Sequence, residues 1–166
     1  MIINFCATKF NPHLTVAKDG SGNFTTISEN CLIDLRKPLE YQYNVVTAQG
    51  KDTVCETIGF VIRNCSILVD RILEPDKGKF KSYLSIPWKE YSTTIVMESN
   101  ICDLVLPEGW LEWHGTIGLK TLYYAEFNNR GPGSGTSSRL RWPGSRVIKR
   151  KEAWNFIVGP FLQGDT

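Results

Sequence analysis

The chain is poor in the residues that most often carry chemistry. It has two histidines in 166 residues, His13 and His114. Neither has a partner at the spacing of a metal site or a nucleophile triad, so each reads as a surface or internally satisfied side chain. No Cys-x-x-Cys occurs among Cys6, Cys31, Cys55, Cys65 and Cys102. That makes a zinc site unexpected. An odd number of cysteines leaves at least one thiol unpaired within a single chain. Small buried side chains with an exposed one or two is the ordinary reading. No apolar run approaches the ~18 residues of a membrane helix, so no membrane partner is expected. The stretch from Met1 to Phe10 has only Ile2-Ile3 and Phe5-Cys6-Ala7 as apolar stubs, short for the core of a secretory signal. Gly131-Pro132-Gly133-Ser134-Gly135 is followed by no Gly-Lys-Ser/Thr and is a turn, not a phosphate loop. Asp19-Gly20-Ser21-Gly22-Asn23 lacks the bidentate glutamate of a calcium loop and reads as a Gly-rich turn before a strand.

What the chain does have is a strand-and-turn pattern. Tyr43 to Thr47, Gly59 to Ile62, Thr93 to Met97 and Thr121 to Phe127 are short and rich in β-branched or aromatic residues, with Gly, Pro, Asn and Asp between them. Phe60-Val61-Ile62 and Ile95-Val96-Met97 recur at an offset of 35. Alternation at that offset turns Phe60, Ile62, Ile95 and Met97 inward, and sends Cys65 outward with Arg63 unless the chain turns at Asn64. Uneven repeats of this kind suit a stacked solenoid. Cys31 to Arg36 is expected as a short helical turn ending before Pro38. With 42% hydrophobic and 22% charged residues, the composition is globular and sufficient for one domain. Net charge is only +2, so the cluster Arg139, Arg141, Arg146, Lys149, Arg150 and Lys151 is a local feature. Without a recognised binding motif it reads as a solvated basic face, with attraction to an acidic polysaccharide as the sharper alternative and no nucleic-acid partner expected. Asn23-Phe24-Thr25 and Asn64-Cys65-Ser66 are glycosylation acceptors that matter only in a secreted chain.

The most specific stretch is Tyr83-Leu84-Ser85-Ile86-Pro87-Trp88-Lys89-Glu90-Tyr91-Ser92. It resembles the Tyr-Leu-Gly-Arg-Pro-Trp-Lys-Glu-Tyr-Ser motif of plant-type pectinesterases, with Ser85 in place of glycine and Ile86 in place of the active-site arginine. Other blocks resemble the same family in order. They are Val16 to Glu29, Val46-Thr47-Ala48-Gln49-Gly50, Gly59 to Ile67, Gly109-Trp110-Leu111-Glu112-Trp113, Leu122 to Gly133, and the tail from Arg139 to Asp165. The long segment that in the family carries two catalytic aspartates and two oxyanion-stabilising glutamines has no counterpart. Residues 30–42 stand in its place.

The resemblance implies an all-β fold, a right-handed parallel β-helix of the pectin-lyase type, shortened by loss of central coils. It divides the chain into an unmatched segment, 1–15, and a truncated catalytic domain, 16–166. Within that domain, 16–29 is the first coil, 30–42 an aberrant junction and 43–166 the C-terminal coils. A solenoid cut in this way is expected to fray at its N-terminal end and to self-associate through exposed strand edges. The family's reaction is hydrolysis of pectin methyl esters to pectate and methanol, without metal or organic cofactor, with one aspartate as nucleophile and the other as proton donor. Its arginine holds the nucleophile ionised, a role that needs charge and a bidentate fork. Ile86 supplies neither, and Asp52, Asp70, Asp76 and Asp103 read as solvated loop acids. No catalytic residue is therefore retained. The resemblance places Trp88, Trp110, Tyr83 and Tyr91 along the groove for pectin (homogalacturonan), where an indole face can stack on a sugar ring. A secreted, cell-wall location follows from the resemblance alone. The competing readings are a non-catalytic pectin-binding module and the product of a decayed or incorrectly joined gene.

Overall fold

The computed structural model describes residues 31–56 and 58–157. The short β-branched segments form β1 (Leu32–Leu35), β2 (Asn44–Gln49), β3 (Phe60–Arg63), β4 (Ser66–Val69), β5 (Ser82–Pro87), β6 (Thr93–Met97), β7 (Asn100–Ile101), β8 (Tyr123–Phe127) and β9 (Ser145–Val147), followed by α1 (Arg150–Ala153). The strands pair in parallel. They make three sheets, ordered β1-β4-β7, β2-β5 and β3-β6-β8-β9. The chain visits the sheets in rotation, so each circuit is one coil and the coils stack into a parallel β-helix. The third coil passes the second sheet only as bridges, Ser82 to Val105 and Ser85 to Trp110. The expected all-β solenoid is the observed fold. The first coil expected over 16–29, the segment 1–15 and the end of the tail lie outside the described residues, as do His13, Cys6 and the Asn23 acceptor.

A repeated corner sets the coil period. Asn64, Glu98 and Asn128 follow β3, β6 and β8, each at positive φ (49°, 54° and 48°). Asparagine tolerates this left-handed region because its short amide can bond locally; glutamate does so less readily. Glu98 is held there by two arginines. Its carboxylate accepts from Arg63 Nε at 2.8 Å, and its carbonyl from Arg130 Nη1 at 2.6 Å. The corner turns the chain between sheets, so Cys65 swings inward and is fully buried. That is the outcome anticipated for a turn at Asn64.

Two expectations are corrected. Residues 32–35 are a strand, not a helical turn, and pair with β4 from Leu32 opposite Ser66 to Leu35 opposite Val69. Ile33 and Leu35 enter the core while Leu32 lies at 39% exposure, the alternation of a half-buried strand. Second, the coils repeat at 34 residues along the third sheet, not 35, with Phe60 opposite Thr94 and Ile62 opposite Val96. A one-residue slip exchanges the faces. Ile62 and Val96 point into the coil, in a core that includes Ile33, Leu35, Val46, Leu84 and Tyr124. Val61, Ile95, Met97 and Ala125 face the other way and are covered by Ile148 and Ala153. Both faces of this sheet are thus buried, which a period-two reading of one strand does not reveal.

The basic tail is partly internal. Arg139 is buried at the C-terminal end of the coil stack. Its Nε meets Glu126 Oε1 at 2.7 Å, and its Nη2 reaches Glu126 Oε2 at 3.3 Å and the Gly133 carbonyl at 2.6 Å. Gly109, at φ +68°, leaves room for the arginine stem, which a Cβ there would meet at 2.4 Å. Arg139 therefore leaves the proposed solvated face. Arg146 stacks over Tyr123 at 4.5 Å, while the Tyr123 hydroxyl donates to Glu152 at 2.7 Å and pins α1 to the third sheet.

Candidate functional site

The site candidates cluster on the second sheet, where the side-chain alternation slips. Tyr83 faces outward, edge-on to Tyr43 at 6.1 Å. Leu84 enters the core. Ser85 also turns inward. Its hydroxyl donates to Tyr124 Oη at 2.9 Å and accepts from Thr47 Oγ1 at 2.8 Å, with Thr94 Oγ1 at 3.2 Å. Two successive inward residues restore the outward face to Ile86 and Trp88. Ile86, beside Ala48 on β2 and 4% exposed, packs in neither core cluster. Trp88 stands at 51% exposure. Burial pushes the Tyr124 phenol far above its ordinary value, so it stays a neutral partner in the hydroxyl cluster. Tyr83 is also raised, first by burial and then by Glu108 and Tyr43.

The loop after β5 is anchored to the turn after β2. The amide of Trp88 donates to the Gln49 carbonyl at 3.1 Å, and that of Tyr91 to the Lys51 carbonyl at 3.0 Å. The Ser92 hydroxyl also donates to the Gln49 carbonyl, and Lys89 pairs with Asp52. The Gln49 side chain, buried, accepts from the Thr93 amide at 2.8 Å. Gly50 matters here. A Cβ would sit 3.3 Å from the Lys89 stem, a tight contact, and 3.5 Å from the Trp88 ring, an ordinary one, so both side chains pack over this turn. Trp88 is thereby a large exposed aromatic on a fixed backbone.

Of the four aromatics expected along the groove, Trp88 presents an open face, Tyr91 is half-buried and Tyr83 shows only 8%. Trp110 is 2% exposed and packs on Tyr124 at 4.9 Å in the coil interior. Its bridge to Ser85 draws it to the strand face that points inward. Trp113, in the same Gly109-to-Trp113 block, is 37% exposed and edge-on to His114 at 5.4 Å. Trp113 lies three residues past Trp110, and Trp88 three past Ser85, the bridge partner of Trp110. The two tryptophans three apart were the available sign, and only the coil register distinguishes the internal from the external one.

The acids are engaged elsewhere. Asp52 pairs with Lys89, and Asp70 accepts from the Ile72 amide at 2.8 Å. Hydrogen bonds from Lys37 and Lys79 hold Asp76 down at about 2. Asp103 meets Lys77 at 2.9 Å. The one carboxylate braced internally by a guanidinium, among these described pairs, is Glu126, inside the coil end and 3% exposed at its side chain. The face around Ile86 thus offers aromatic stacking, indole N–H donors and a fixed loop, with an apolar group at its centre.

The pectinesterase family profile matches residues 21–165. The probable pectinesterase/pectinesterase inhibitor 13 of Arabidopsis thaliana is 51% identical over 145 residues, covering 87% of this chain and 24% of that protein. Pectinesterase 1 of Solanum lycopersicum is 47% identical over 144 residues, covering 86% and 26%. The pectin methylesterase from carrot superposes with a TM-score of 0.80 at 42% identity, over 82% of this chain and 43% of that one. The chain spans about a quarter of the length of the curated relatives it matches.

Proposed function

The chain belongs to the pectinesterase family, and on that premise we propose that it holds pectin on the second sheet without cleaving its methyl esters. Hydrolysis of those esters by this family needs two facing carboxyl groups beside a fixed guanidinium. The observation that carries the proposal is Ile86, an apolar side chain, 4% exposed, where the resemblance calls for that guanidinium. An isoleucine cannot hold a carboxylate ionised, and a buried carboxylate without a cation tends to protonate and lose its nucleophilicity. Polymer contact is carried by Trp88, with Tyr83 and Tyr91 flanking and Trp113 continuing the aromatic face; Trp110 supports it from within. The partner is homogalacturonan, in the cell wall, and no cofactor takes part.

Residues 16–166 act as one truncated unit. Residues 30–42 are its junction over the lost central coils, and β1 within that stretch pairs in parallel with β4. β1, β2 and β3 end their sheets on that side among the described residues. We extend the proposal to concentration-dependent self-association through these edges, which sedimentation over a dilution series reads directly. The groove itself is tested by retention on immobilised, highly esterified pectin. Trp88→Ala should elute about tenfold more readily, the loss expected for an exposed aromatic anchor. Unchanged retention of both Trp88→Ala and Trp113→Ala would overturn the reading.

A further inference from the structure

The corner between the third and first sheets, which the second sheet does not border, carries a depression of about 360 Å3 lined by Arg63, Asn64, Glu98, Asn128 and Arg130. That volume falls in the ~300–1,000 Å3 range of small-ligand sites. The depression is a product of the coil period. Asn64, Glu98 and Asn128 are the three stacked left-handed corner residues. Arg63 rises from the end of β3, and Arg130 runs back along the stack, with Nη2 at 3.4 Å from Asn64 Oδ1. Arg63 meets the Glu98 carboxylate and Arg130 the Glu98 carbonyl, so these five residues bring two guanidiniums and one carboxylate to the depression. Glu98 is 34% exposed at its side chain and Arg63 29%, so solvent reaches both. A smaller cleft continues from Arg63 and Glu98 to Arg150 and Trp154, adding a third cation and an indole exposed at 61%.

We infer that this corner is a second carbohydrate site, one that takes the free carboxylate of a uronate unit. The inference rests on the pectin reading above and assigns a different part of the molecule to the de-esterified polymer. A guanidinium pair reads a carboxylate through parallel charge-assisted hydrogen bonds. The Asn64 and Asn128 amides offer both donors and acceptors to ring hydroxyls. Glu98 accepts from a hydroxyl and, with its negative charge, disfavours a second anionic group close by. Trp154 supplies an aromatic face at the end of the cleft. The methyl ester of the same sugar has no charge to meet the arginines. The corner therefore selects the acid, while the aromatic face of the second sheet is indifferent to esterification.

The test is titration of the full chain with trigalacturonate and with its fully methyl-esterified form. The free acid should bind about tenfold more tightly than the ester. Arg63→Gln/Arg130→Gln should lose about tenfold in affinity for the acid and keep the wild-type affinity for the ester, since distant sites act independently. Raising the salt should weaken the acid and leave the ester unchanged. Arg63→Lys/Arg130→Lys keeps both charges and loses the planar forks; it too must weaken binding, and it carries the test where the glutamine pair lowers the melting temperature. Wild-type affinity in either folded variant, equal affinity for acid and ester, or equal retention of a DNA oligonucleotide of the same charge would overturn the proposal. Loss of acid binding in Trp88→Ala alone would overturn it while leaving the groove reading intact. Ester affinity left unchanged by Trp88→Ala would instead overturn the groove reading.

Discussion

Replacing Arg139 by methionine tests how the coil stack is closed at its C-terminal end. Arg139 and Glu126 keep 5% and 3% of their side-chain exposure. The guanidinium donates to both Glu126 oxygens and to the carbonyls of Gly133 and Pro107, at 2.6 and 2.9 Å for the carbonyls. Methionine fills similar space and donates nothing. Among the described residues, Glu126 then keeps only the Asn129 amide, at 3.3 Å, as a side-chain donor. Removing one partner of a buried pair costs about 3–5 kcal/mol, chiefly the desolvation of the charge left behind. The two orphaned carbonyls place Arg139→Met near the top of that range. With a urea slope of about 2 kcal/mol/M, the unfolding midpoint should fall by roughly 2 M. The double variant Glu126→Leu/Arg139→Met removes both charges and should recover more than half of that loss. A fall below about 1 kcal/mol in Arg139→Met, the level of an exposed ion pair, would refute the argument that this pair is buried and structural.

Restoring the guanidinium alone, as Ile86→Arg, should give no methanol release from esterified pectin, since no matched carboxylate pair faces it among the described residues; release above a heat-killed sample would contradict that. Burial raises the Cys65 thiol from 9.0 to about 11, with Cys31 beside it on the neighbouring coil. The folded chain therefore keeps a proton that the unfolded chain releases, so stability should fall as pH rises from 9.0 towards about 11. A flat urea midpoint over that window, or one no flatter in Cys65→Ser, would count against it. An oxidant should join Cys31 to Cys65 and raise stability by ~4 kcal/mol for a loop of this length, seen as the loss of two hydrogens by mass and a later unfolding midpoint. Gly50→Ala should shift only the flexible Lys89 stem, with Trp88 at an ordinary contact distance, and keep pectin retention within about twofold; a larger loss in the folded variant would contradict that.

Much of the fold is legible in the chain because stacked coils repeat their solution. The β-branched runs and the turn at Asn64 announce strands and a corner, and the motif around Trp88 points to the family. What escapes is whatever depends on the partner coil. Four residues, Leu32 to Leu35, are too few for periodicity to separate a strand from a helical turn, although Asn30-Cys31-x-Ile33 repeats in Asn64-Cys65-x-Ile67 at the coil period of 34. The offset of 35 arises from matching apolar triplets. The corner match of Asn64 with Glu98 hides the true register because only one of the two is asparagine. Arg139 sits in a basic cluster whose other members are exposed, and no local pattern shows that Glu126 awaits it inside. Trp110 and Trp113 share one motif, and the slip at Ser85 decides which strand face each meets.

Methanol release decides whether this chain cleaves the esters it holds. Purified full chain on highly methyl-esterified pectin, across neutral and alkaline pH, should release no more methanol than the heat-killed sample, while the same preparation is retained by the polymer through Trp88. Turnover that survives purification, vanishes on heating and persists in the folded protein with Ile86 in place would contradict it.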